Sequence, residues 1–117
     1  MQIKVQFFAD GDLLTGFTVS GHDEIAEDTG FSVLCAAVSS AVQLTLNTLT
    51  EYFGVPESAV RIHQSRGTDN RISLRMKAPG RTQSDILRGL LLHFQQLSED
   101  NSALLIQKTV QQTDTHN

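Results

Sequence analysis

The sequence predicts an α+β fold: a mostly antiparallel sheet with two helices, in the order strand-strand-helix-strand-strand-helix-strand. Three patterns carry that prediction. Apolar and polar side chains alternate on both sides of a tight-turn signal at Asp10-Gly11, as expected of a hairpin with one buried face. Two longer stretches, near 33–53 and 82–97, space their apolar residues at helical period. Shorter alternating runs follow each of them.

In the first strand Ile3, Val5 and Phe7 alternate with Gln2, Lys4 and Gln6; in the second, Leu13, Thr15, Phe17 and Val19 share one side. The second strand ends at Ser20 and delivers Gly21 and His22 to its tip. Residues 23–30 are polar, and Thr29-Gly30 reads as a break. The central helix is expected over about 33–53, with Ser32 as its N-cap and Cys35 in its first turn. Gly54 and Pro56 supply its stop. Its apolar residues form two rows, one of Val33, Ala37, Ala41, Leu44, Thr48 and Tyr52, the other of Cys35, Val42, Leu46, Leu49 and Phe53. A surface helix normally shows a single stripe. Two rows predict a sheet on one side and a second helix or a partner subunit on the other; a homodimer would supply the latter.

Val60, Ile62 and Gln64 alternate with Arg61 and His63 as a third strand, SRGTDN makes a turn, and Ile72, Leu74 and Met76 mark a fourth. After Pro79-Gly80, Thr82 followed three residues on by Asp85 resembles a capping box. Ile86, Leu87, Leu90, Leu91, Phe94 and Leu97 then give the second helix, and residues 103–110 a final strand. The tail QQTDTHN is polar and expected to fray.

At 117 residues the chain suits one domain spanning 1–117, a size that buries about 65% of the unfolded surface. Nine Lys and Arg face thirteen Asp and Glu, for a formal net charge of −4. The cations look scattered, and the densest basic stretch, 61–81, reads as one face of strands, so no direct nucleic-acid partner is expected. One cysteine excludes an intrachain disulfide and fits a reducing cytoplasm. The apolar runs fall short of the ~20 residues that span a bilayer, and the first residues lack a signal peptide's basic start and apolar stretch. No membrane association is expected. No set of His, Cys and Asp has zinc-like spacing, and no Gly-rich phosphate loop occurs. Neither metal nor cofactor is expected.

The chemistry concentrates in residues 21–40, GHDEIAEDTGFSVLCAAVSS. The thiolate is the nucleophilic form of cysteine, and a nearby imidazolium or the positive end of a helix lowers a thiol's pKa. Cys35 near a helix start, with His22 thirteen positions earlier, offers both. His22 would take the thiol proton and return it to a leaving amine, while free helix amides would cradle an oxyanion. The plainer alternative is that a single Cys in an apolar helix is packing material and that a lone His before a loop is a surface residue. Asp23, Glu24, Glu27 and Asp28 read as a solvated face, with an electrostatic lure for a basic substrate segment, or Asp28 orienting His22, as the functional alternatives.

Gly-His, a polar loop with a glycine turn, then Cys-Ala-Ala-Val-Ser resembles the small bacterial ribosomal-processing cysteine proteases called Prp. Chain size, element order and the cysteine near the helix start agree over nearly the whole length, with sharp matching at Gly21, His22, Gly30, Cys35, Ala36, Ala37, Val38 and Ser39. The resemblance implies Cys35 as nucleophile, His22 as general base, and Gly21, Gly30, Ala36 and Ser39 beside the substrate. It also implies a homodimeric enzyme that removes a short N-terminal extension from a large-subunit ribosomal protein precursor, cutting after an aromatic residue. Many members carry an acidic residue three before the cysteine, where this chain has Ser32. The alternative is a non-catalytic, ribosome-associated binding or dimerisation module on the same scaffold.

Overall fold

The alternation along residues 3–20 becomes the two faces of a hairpin. The structure, a computed structural model, describes residues 2–21, 29–64 and 70–111. Strands β1 (Ile3–Asp10) and β2 (Leu13–Ser20) pair antiparallel around a turn at Gly11. Helix α1 (Thr29–Tyr52), a 3₁₀ turn (Glu57–Ala59), strands β3 (Val60–His63) and β4 (Arg71–Arg75), helix α2 (Arg81–Asp100) and strand β5 (Leu104–Gln111) follow, in the predicted order. The strands lie side by side as β3-β4-β2-β1-β5. All neighbouring pairs are antiparallel except β1 with β5, which run parallel. A parallel neighbour needs a long crossover, and α2 provides it by carrying the chain from β4 to the far edge.

The register puts Val5 opposite Val19, Phe7 opposite Phe17 and Phe17 opposite Leu74, so one face of the pleat is continuously apolar. Both helices cover that face. Leu87, Leu90 and Phe94 are the buried apolar residues of α2. Phe7 packs against Phe17 (5.8 Å between ring centroids) and edge-on to Phe94 (6.3 Å). Each such ring contributes about 1.5–3 kcal/mol by leaving water.

One irregularity ties α2 to the hairpin. Phe8 pairs with Gly16 but Ala9 with Leu14, so Thr15 is an extra residue and the ladder is interrupted. The freed groups are satisfied from outside the pair. The Leu14 N–H donates to Ser84 Oγ (2.8 Å), fully buried on α2, and the Thr15 carbonyl accepts from the Met76 N–H (2.8 Å). Arg88 also donates to the Asp12 carbonyl.

The start of α2 differs from expectation. The N-cap is Gly80, not Thr82, and its N–H donates to Gln83 Oε1 (2.9 Å), so Gln83 takes the part assigned to Asp85. Gln83 Nε2 in turn donates to the Phe53 carbonyl (2.6 Å), joining the start of α2 to the end of α1. A glutamine bonds in both directions where an aspartate could only accept.

Helix α1 is also longer at its start than the spacing predicts. Thr29 and Gly30 lie within it, and Ser32 is an exposed residue of the helix, not its cap. A helical glycine costs about 1 kcal/mol, and the burial of Phe31 and Leu34 offsets that loss. At the other end Gly54 is left-handed (φ 72°), and the Val55 N–H turns back to the Leu49 carbonyl (3.1 Å).

Of the two apolar rows of α1, one is largely buried: Cys35, Val42 and Leu49, joined by Phe31, Leu34 and Val38, with Leu46 half-buried and Phe53, past the helix end, exposed. The other leaves Val33, Leu44 and Tyr52 at 65%, 69% and 80% exposure. α1 and α2 share the same side of the sheet, and α2 leaves these three residues uncovered. One expectation needs correcting. Residues Gly30–Tyr52 are long and apolar enough to cross a membrane by length and composition. Packing of the Phe31-to-Leu49 stripe on the sheet accounts for part of that apolarity.

Ser84→Ala is expected to lower stability by about 1–3 kcal/mol, because it strands a buried amide. Gly89→Ala, on an exposed stretch of α2 with open space around it, should raise it by about 0.5–1 kcal/mol. Denaturant titration of the two variants beside the parent checks both signs.

Candidate functional site

Cys35 is the seventh residue of α1, in its second turn instead of its first. Within the helix, the amides of residues 29–31 precede the first intrahelical bond, so the sulfur-bearing residue stands about one turn, some 5 Å, inside the helix. Its side chain belongs to the buried stripe, at 2% exposure, between Leu34 and Val38. A helix dipole falls off within its first turn.

Beyond Cys35 the helix forms one wall of a groove of about 600 Å³, whose other wall is the β3–β4 edge of the sheet. Val38, Val42 and Leu46 from α1 face Val60, Ile62 and Ile72 across it, and Val19 of β2 lies between them. Polar groups including Ser39, Asn47, His63 and Asn70 rim it. Since Val19 and Val38 share this groove, the end of β2, which leads to Gly21, lies alongside the early turns of α1.

The proposed dyad is thus described only on its thiol side. His22 and the loop acids Asp23, Glu24, Glu27 and Asp28 lie outside the described residues. Ser39 rims the groove. Gly30 lines a separate depression with Phe31, Leu34 and Ala103, and Ala36 is exposed on α1. Gly21 has a backbone reason for being glycine. Its φ is 87°, and a Cβ there would stand 2.2 Å from the Gln2 carbonyl oxygen.

The apolar groove wall was not foreseen as a site. Its signal was present in the alternation of Val60 and Ile62, but Ile62 is 62% exposed at the edge strand. His63, read in sequence as part of the third strand, stands at this rim. Among the described residues no three His, Cys, Asp or Glu side chains converge as a metal site would require.

Gly21→Ala should destabilise the fold by more than the ~1–2 kcal/mol of a left-handed alanine, because the clash with Gln2 adds to it. A fall in melting temperature beyond that of Gly30→Ala would show that the constraint is local to the end of β2.

A family model described as Cysteine protease Prp matches residues 2–108. No curated protein matches the chain in sequence. Among solved structures, SMU.848 from Streptococcus mutans superposes with a TM-score of 0.77 at 18% identity, over 95% of this chain and 100% of that one. The essential ribosomal processing protease Prp from S. aureus, with a covalently linked product peptide, gives 0.71 at 18% identity over 92% of this chain and 100% of that one. Its complex with a substrate peptide gives 0.70 at 16% identity over 94% and 100%. At these identities the likeness is one of fold.

Proposed function

Because this chain belongs to the Prp family of cysteine proteases, we propose that it is an endopeptidase acting through Cys35 and His22 on the N-terminal extension of a large-subunit ribosomal protein precursor. The observation that carries this reading is the family match over residues 2–108, a span that includes both side chains. The S. aureus structures with product and substrate peptides support a polypeptide substrate for this chain too.

His22 takes the proton of the Cys35 thiol, and the thiolate attacks the scissile carbonyl carbon. Backbone amides near the start of α1 stabilise the oxyanion as it forms. His22 then protonates the departing amine, leaving a thioester on Cys35, and deprotonates the water that hydrolyses it. With the sulfur buried, the reaction requires the residues over the early turns of α1 to part. The groove beside Val38 and Ser39 is the natural berth for the substrate chain, with apolar walls for an aromatic side chain next to the cut.

The burial of Cys35 favours one second reading, a non-catalytic binding or dimerisation module. The exposed row of Val33, Leu44 and Tyr52 supports a homodimer under either reading. The lone thiol fits a reducing cytoplasm.

A synthetic peptide spanning the extension and the first mature residues of the precursor separates the readings. Cleavage should vanish in Cys35→Ala and fall about 10²–10⁴-fold in His22→Ala, with the parent fold retained. Iodoacetamide should label Cys35 slowly in the free protein and faster with the peptide bound. Undiminished cleavage by Cys35→Ala would remove the thiol from the mechanism. Tight peptide binding by the parent without turnover would transfer the function to the binding module.

A further inference from the structure

The sheet face away from both helices gathers cations that look scattered in sequence. Lys4 pairs with Ser20, Ser20 with Arg71, Gly16 with Arg75, and Ser73 with Arg61. Paired residues share a face, so Lys4, Arg61, Arg71 and Arg75 all stand on the face opposite the core. All four are exposed. Four of the chain's nine Lys and Arg thus share one surface of a protein whose net charge is −4. Among the described strand residues the only carboxylate is Asp10, at the far end of β1.

Three features distinguish this surface from a solvated face. Three of its four cations are arginines, whose planar forks match phosphate and stack on flat rings. The Arg75 guanidinium carbon lies 3.8 Å above the centre of the Phe8 ring, so a cation and an aromatic already form a flat layer. Around them Gln6, Thr18, Ser73 and Gln107 supply hydrogen-bond donors and acceptors to a shallow depression. Neighbouring cations stand about 7–10 Å apart by strand spacing, close enough for one extended polyanion to meet several.

We propose that this open sheet face binds single-stranded RNA. Phosphates pair with Arg61, Arg71, Arg75 and Lys4, and an unpaired base stacks beside the Arg75–Phe8 layer. A sheet carrying an aromatic and flanked by cations is a platform for splayed bases. A merely acidic protein would use the charges and leave that layer idle. The face lies on the other side of the sheet from Cys35, so this binding is independent of the peptidase reading and fits a protein that meets its substrate near ribosomal RNA.

The test uses the full chain and a fluorescein-labelled twelve-nucleotide oligouridylate, read by fluorescence anisotropy across a salt series. Binding should be saturable at low salt, with log affinity against log salt falling with a slope near −3 (about −0.7 for each of four phosphates). Lys4→Gln/Arg61→Gln/Arg75→Gln should bind at least tenfold more weakly and lose about two units of slope; Arg71 is kept because it also lines the groove. Phe8→Leu should weaken binding several-fold with little change in slope. Lys77→Gln/Arg81→Gln, with both changes away from the sheet face, should bind like the parent.

No saturable binding at the lowest salt, a slope near zero, or equal losses from the Lys77/Arg81 control would overturn the proposal. Polyglutamate competing as well as RNA would assign the face to an acidic protein instead. If the triple variant melts early, the parent's salt slope and Phe8→Leu decide the matter. Peptide cleavage by the triple variant, followed in parallel, keeps failure here distinct from failure of the peptidase reading.

Discussion

The contact of Phe7 with Phe17 and Phe94 is the joint on which this molecule depends. Phe7 sits in β1, which holds β2 on one side and β5 on the other, and its ring meets both a neighbouring strand and the helix that spans the sheet. The period-two pleat makes one residue's direction the direction of the whole strand. Once Phe7 points into the core, so do Ile3 and Val5, while Lys4 and Gln6 point out. Because the ladders continue the pattern across β4 and β3, that single choice also places Arg61, Arg71 and Arg75 on the outer face. The apolar seat of the helices and the cationic surface therefore have one cause.

The same logic governs Cys35. Its place in the stripe from Phe31 to Leu49 follows from helical spacing, which makes a residue suited to chemistry also a residue suited to packing. A sulfur with one turn of helix between it and the free amides gains little from the dipole. Under the peptidase reading an imidazole supplies the activation instead, and Gly21 is the last described residue before His22. The backbone there turns left-handed against the Gln2 carbonyl, so the direction in which the chain leaves β2 is set by a contact with the start of β1, at the same open end of the hairpin. Under that reading, the geometry of the site is tied to the packing of β1.

Much of this was legible in the sequence, for physical reasons that can be named. Alternation about Asp10-Gly11 identified the hairpin because one face of those strands is buried and the other is wet. Gly54 identified the end of α1 because it supplies the left-handed residue. The start of α1 was misjudged because Thr29-Gly30 is a local break signal, whereas Phe31 and Leu34 find tertiary burial that no local rule counts. Gly80 and Gln83 were missed as the cap of α2 because the decisive partner, the Phe53 carbonyl, is thirty residues away. The cationic face was invisible for the same reason. Arg61 and Lys4 are far apart in the chain and share a surface only through pairings across β4, β2 and β1.

Charge separation of this kind does not come free in a chain with thirteen acidic and nine basic residues. Setting four cations on one sheet face, with Asp10 the one carboxylate among the described strand residues, offers fewer ion pairs than an interspersed surface would. Each such exposed pair contributes only about 0.2–1 kcal/mol, so the sacrifice is small for stability. The resulting field is large by comparison, since like charges on one surface add over a Debye length of about 8–10 Å. The two helices occupy the opposite side, and among the described residues no other element covers this face. An acidic protein can thus carry a local cationic platform without disturbing its core, because the pleat keeps the two sets of side chains apart.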